Sequence, residues 1–149
     1  MDFSGKVLRR EIVTKKAEGG TASLLKSWPL STIAPLPSEA FLSLSLECGG
    51  ETTFNETFFT EPKRCTLAAA NVTAAITEAD EGLDVRLSTD APAFYVALAA
   101  EGFPGEFSDN GFTLLPDEPR VLRFTPRKRL SLARFKKSLD IRHLRTTYR

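Results

Sequence analysis

His143 is the single histidine of the chain, and catalysis by an activated nucleophile would have to run through it. A nucleophile needs a base beside it. His143 instead lies beside Arg142 and close to Arg145, whose charges disfavour an imidazolium, and no Gly-x-Ser-x-Gly turn or paired cysteine accompanies it. It reads as a packed or solvated side chain. The two cysteines, Cys48 and Cys65, cannot complete a four-ligand zinc site with one histidine. Their spacing permits a disulfide without demanding one, and two buried thiols are the expected state. No phosphate-cradling glycine loop is present. Neither a metal nor a cofactor is expected.

The acids Glu101, Glu106 and Asp109 form the one cluster with chemical interest. Two carboxylates flanking a glycosidic bond can hydrolyse it, and loop oxygens can hold calcium. Gly102, Pro104 and Gly105, however, make this a strand-to-strand turn, and no calcium-loop spacing appears. These acids therefore read as exposed turn residues, and no catalytic residue is assigned. In Phe107-Ser108-Asp109-Asn110-Gly111-Phe112, short polar side chains can bond nearby backbone while the phenylalanines anchor both ends. That is a rigid turn. Exposed aromatics can stack on sugar rings. Trp28, before Pro29 at a strand end, and Tyr95 are the candidate carbohydrate contacts, with Tyr148 a further aromatic to weigh. A lone tryptophan reads first as partly buried core.

Elements able to hold these residues come from a chain of 149 residues, 42% hydrophobic and 26% charged, enough for one domain with an arm. No apolar run approaches the roughly 20 residues of a membrane span, and the N-terminus has no apolar signal core. Compartment is not readable. The sequons at Asn55 and Asn71 would matter only in a eukaryotic secretory pathway. Net charge is +1, yet residues 1–119 carry 9 Lys/Arg against 18 Asp/Glu, and residues 120–149 carry 11 against one. Such a tail could grip nucleic acid. Apolar residues interrupt it throughout, so folding back over the acidic body, or over an acidic neighbour, is the preferred reading and nucleic acid is not an expected partner.

Period-two alternation dominates. Strands are expected at Lys6–Thr14, Thr21–Leu30, Phe41–Cys48, Thr52–Phe59, Val72–Glu78, Leu83–Ser88, Ala93–Ala99 and Arg120–Phe124. Ala93–Ala99 is apolar on both faces, which suits a central strand. Breakers at Gly19-Gly20, Pro35-Leu36-Pro37, Gly49-Gly50, Glu81-Gly82 and Pro104-Gly105 separate these runs. Eight short strands without long helices predict an all-β fold, an immunoglobulin-like antiparallel β-sandwich over 1–125. After Thr125-Pro126-Arg127-Lys128-Arg129, Ser131 can cap a short helix ahead of a final strand or extended arm, so 126–149 is expected to pack on the sandwich or a neighbouring domain.

Three blocks carry a resemblance: Ala93-Phe94-Tyr95-Val96-Ala97-Leu98, Phe107-Ser108-Asp109-Asn110-Gly111-Phe112, and Leu114-Leu115-Pro116-Asp117-Glu118-Pro119-Arg120. Together they resemble the C-terminal immunoglobulin-like domain of β-mannosidases in glycoside hydrolase family two. The opening Asp2-Phe3-Ser4-Gly5-Lys6-Val7-Leu8 is similar to that domain's first strand, and Ser131 to Tyr148 to the tail of bacterial members. Phe107, Ser108, Asp109 and Asn110 are the signature, read as a structural turn. Asp117 departs from the pattern, where glycine is frequent, as does the tail's arginine content.

The resemblance implies a parent enzyme removing terminal β-linked mannose or a related sugar, with catalytic glutamates in a separate barrel domain and none here. The expected role is a non-catalytic accessory domain, an excised piece begun at Met1, whose partners are the parent's other domains. Arg127, Lys128, Arg129, Arg134 and Arg142 are the expected docking residues. The alternative is a free-standing carbohydrate-binding module that takes an oligosaccharide.

Overall fold

A computed structural model describes residues 1–16 and 19–148. The chain groups into two compact units, Met1–Thr66 and Leu67–Arg149. The basic segment after Thr125 contributes Phe135 and a strand to the second unit. No helix among the described residues is long and apolar enough to cross a membrane.

The first unit is built on one hairpin. Strand β1 (Phe41–Cys48) pairs antiparallel with β2 (Glu51–Phe58) from Phe41↔Phe58 to Cys48↔Glu51. The two-residue connection is Gly49-Gly50, with φ of 62° and 84°. Both angles lie in the left-handed region that a tight hairpin turn requires and that glycine enters without a Cβ clash. At the hairpin's base Phe3 stacks on Phe41 at 5.4 Å and on Phe58 at 5.8 Å. A short helix α1 (Leu30–Ile33) precedes the hairpin, and Asp2 forms a single antiparallel bridge to Ala40.

The second unit is a sandwich. Its four-stranded sheet has the order β3 (Val72–Ala79), β4 (Gly82–Thr89), β8 (Arg120–Pro126), β6 (Gly105–Phe107). The three-stranded sheet has the order β7 (Phe112–Leu114), β5 (Ala93–Ala100), β9 (Leu139–Arg142). All pairings are antiparallel. Ile76, Leu83, Val85, Leu87, Leu122 and Phe124 from the first sheet meet Ala93, Val96, Leu98, Phe112 and Leu114 from the second in one core. Every second residue of each strand points inward, so alternation in sequence becomes a layer of apolar side chains. This is the immunoglobulin-like β-sandwich expected from the pattern. Helix α2 (Leu132–Ser138) closes the core with Phe135, which is fully buried against Phe124 at 4.7 Å and Phe103 at 5.9 Å. Close packing shows at Gly82 as well. A Cβ there would stand 2.1 Å from the carbonyl oxygen of Phe124.

Several expectations are corrected. Lys6–Thr14 and Thr21–Leu30 form no strand. Their apolar residues stay in solvent, with Ile12 at 81% and Leu24 at 79% exposure. A strand draws its hydrogen bonds from a neighbour, and these segments have no neighbouring strand among the described residues. β5 is the central strand of its sheet, but only one of its faces is covered: Tyr95, Ala97 and Ala99 are exposed. The cysteines are free thiols but not buried ones; Cys48 is exposed and Cys65 half-buried. Trp28 is half-buried and lies outside the core. The helix forms behind Ser131, but without a side-chain cap from it.

Candidate functional site

The signature turn is held residue by residue within the second unit. Phe107 packs its ring against Phe124 at 4.8 Å. Ser108 donates its backbone N–H to the carbonyl of Arg123 at 2.8 Å, and its Oγ accepts the N–H of Arg123 at 3.0 Å, so the β6–β8 pairing continues one residue past the strand. Asp109 accepts the Asn110 N–H at 2.7 Å and holds the Arg120 guanidinium at 3.1 Å. The amide of Asn110 accepts the Leu98 N–H at 2.8 Å and donates to the Leu98 carbonyl at 3.0 Å. That side chain imitates a strand's backbone exactly where β5 runs beyond β7, so both Leu98 groups are satisfied. Arg120 also lies over the Phe112 ring, 4.5 Å from its centre.

Two of the three acids of this region are paired with arginines. Glu106 binds Arg127 at 2.5 Å and Asp109 binds Arg120, both at exposed positions. No group of three or more metal-ligating side chains occurs among the described residues.

The two sugar-contact candidates fall in different units. Tyr95 sits at a bulge: Ala93↔Leu114 and Val96↔Phe112 are paired, so β5 holds one residue more than β7 between them. At this bulge Tyr95 takes φ of 54°, rare for a bulky residue, and its side chain is 55% exposed while Phe94 beside it is buried. Trp28 belongs to the first unit, where its indole N–H donates to Glu11 at 3.2 Å and the Lys26 ammonium stands 5.8 Å from the ring centre. Glu11 also takes Lys26 and Arg9 as ion-pair partners. The hydrogen bond from Lys26 leads in holding the Glu11 carboxyl below its ordinary range, with Trp28 adding to it.

The docking candidates divide by partner. Arg127 is bound to Glu106, and Arg142 to Asp140 at 2.7 Å. Arg134 lies over the Phe103 ring at 5.8 Å. Lys128 and Arg129, in the bend ahead of α2, form no ion pair among the described residues. Arg120, Arg123 and Arg127 thus pair with Asp109, Asp84 and Glu106 of the same unit, the second at 2.7 Å.

His143 is the buried ionisable group of this unit, 5% exposed. Burial pushes its imidazole below the ordinary value; a hydrogen bond with the backbone of Ala70 works against that, and the Arg145 charge works with it. A neutral ring is favoured. Thr146 braces the backbone, its Oγ1 accepting the His143 N–H at 3.1 Å and donating to the His143 carbonyl at 2.7 Å. Neither residue stood out in the sequence for this role, because burial of a lone histidine leaves no local pattern.

The chain is 37% identical over 82 residues to the β-mannosidases of Bos taurus and Capra hircus, an alignment taking in 55% of this chain and 9% of each relative. The crystal structure of β-D-mannosidase from Dictyoglomus thermophilum superposes with a TM-score of 0.62 over 72% of this chain and 13% of that one, at 22% identity, a likeness of fold. The chain thus spans about a tenth of the relatives it matches. Residues 67–147, more than half of the chain, match the family model of the mannosidase immunoglobulin-fold domain, and the chain belongs to that family.

Proposed function

We propose that this chain is a non-catalytic accessory domain of a β-mannosidase-type glycoside hydrolase. The parent activity is hydrolysis of a terminal β-linked mannose or a related sugar. The domain packs against other domains of that enzyme, including a catalytic barrel, and stabilises them. The observation that carries this reading is the match of 67–147 to a domain family of mannosidases, with relatives named β-mannosidase at 37% identity. The local geometry supports it. Signature residues serve the fold, and two of the three acids nearby are tied to arginines. Of the five expected docking residues, Lys128 and Arg129 form no ion pair among the described residues, and Arg134 lies over the Phe103 ring.

The test uses the full-length parent. Removing the segment equivalent to 67–149 should lower its melting temperature while the isolated chain shows no hydrolysis of an aryl β-mannoside. Turnover by the isolated chain, or a parent equally stable without the segment, would sink the proposal. The exposed Tyr95 ring favours one second reading, a carbohydrate-binding module. Saturable binding of manno-oligosaccharide, weakened at least several-fold by Tyr95→Ala or Trp28→Ala, would favour it; no saturable binding would dismiss it.

A further inference from the structure

The β1–β2 hairpin presents an apolar surface that its own unit leaves open. Leu44 and Leu46 on one face are 44% and 61% exposed, and Phe54, which pairs with Ser45 on the opposite face, is 61% exposed. Side chains alternate along β1, placing Leu42, Leu44, Leu46 and Cys48 on one face and Ser43, Ser45 and Glu47 on the other. Among the described residues the sheet has two strands, so β1 has a second edge. Which residues aim their backbone there follows from one contact: Phe41 donates its N–H to Met1, not to β2. Backbone direction alternates with every residue, so Ser43, Ser45 and Glu47 also point their N–H and C=O groups toward that edge.

From this arrangement we infer that β1 is the interface for a second copy of this chain. The two β1 strands pair antiparallel about a two-fold axis through Ser45, giving a continuous sheet of order β2-β1-β1-β2. An isologous contact must be self-complementary. The segment Phe41-Leu42-Ser43-Leu44-Ser45-Leu46-Glu47-Cys48 meets that condition in this register. Ser45 faces the second copy's Ser45, and Ser43 faces Glu47, all residues whose backbone points to the edge. On the apolar face Leu44 lies opposite Leu46, and Leu42 opposite Cys48. Other registers are poorer. Centring on Leu44 would put Glu47 against Phe41, whose backbone Met1 already occupies. Centring on Glu47 would set two carboxylates opposite each other. β1 is also the better edge by charge, because its only acid is Glu47 whereas β2 carries Glu51 and Glu56. The inference concerns the first unit and does not depend on the function proposed for the second.

The experiment is light scattering coupled to size exclusion on the full 149-residue chain across a range of concentrations. The expected result is a mass rising toward twice 16.4 kDa. Ser45→Pro removes an edge N–H without touching a bond to β2, and should return the mass to one chain. In a Cys48→Ser, Cys65→Ser background, Ser45→Cys should cross-link to a dimer on mild oxidation. Glu47→Cys should not, because its two copies would stand about 14 Å apart at the strand rise of ~3.4 Å per residue. A chain that remains monomeric at every concentration overturns the inference. So does a Ser45→Pro variant that dimerises like the parent sequence, or a Glu47→Cys variant that cross-links as well as Ser45→Cys. Slow exchange of the Ser45 amide in a monomer would equally overturn it, since another part of the same chain would then cover the edge.

Discussion

His143 shows how a single side chain ties this domain to pH. Burial lowers its proton affinity in the folded state, against an ordinary value of 6.5. The unfolded chain therefore takes up the proton first as pH falls, and stability must drop with it. The contribution is fully present above the ordinary value and is lost below it. We expect the melting temperature to fall between pH 7 and pH 5, and His143→Gln to flatten that part of the profile, as followed by circular dichroism. Asp117 is a second residue with a local cost. Its φ of 62° lies in the left-handed region. Glycine enters this region freely. Asp117→Gly should raise stability by up to about 1 kcal/mol, measurable by urea denaturation. Neither effect is visible in local sequence, because one depends on what covers the ring and the other on a backbone angle.

At the scale of elements, α2 matters more than its seven residues suggest. It is too short to be stable from its own hydrogen bonds. Phe135 holds it, fully buried among Phe103, Phe107 and Phe124. Phe135→Ala should cost about 3–5 kcal/mol, enough to unfold a marginal domain, with a matching loss of the urea midpoint. A conservative Phe135→Leu should cost less. β9 continues the same role by pairing with β5 from Ala97↔Arg142 to Ala100↔Leu139. The pattern of the tail announced a helix and a possible strand. It could not announce that both belong to the sandwich. The short strands β6 and β7, three residues each, were invisible for a different reason: three residues are too few to show an alternation.

At the scale of the molecule, the division after Thr66 makes a definite prediction. All the core residues from Ile76 to Phe135 lie within 67–149. A fragment of 67–149 should therefore fold with one cooperative thermal transition. A fragment of 1–125 retains most of the alternating strands but lacks Phe135 and β9, and should show no cooperative transition in its second unit; calorimetry distinguishes the two. Exposed ion pairs such as Arg123–Asp84 and Arg127–Glu106 add little each, typically about 0–1 kcal/mol. Their consequence is organisational, since they bring Arg123 and Arg127 onto the acidic body, while Lys128, Arg129, Lys136 and Lys137 form no ion pair among the described residues.

What sequence alone determined here was the fold class and the strands with long alternation. Phe41–Cys48 and Leu83–Ser88 are legible because a side chain's face follows directly from its place in a period of two, whatever the strand later meets. The tight Gly49-Gly50 turn was legible for the same kind of reason, as a local steric preference. Tertiary structure decided which alternating segments actually pair. Lys6–Thr14 carries a strand-like pattern and forms no strand, whereas Leu139–Arg142 carries a weaker one and completes a sheet. A strand is a relation between two segments, and the energy that selects the partner comes from hydrogen bonds and burial far apart in the chain. The same distance dependence hid the burial of His143 and the seat of Phe135.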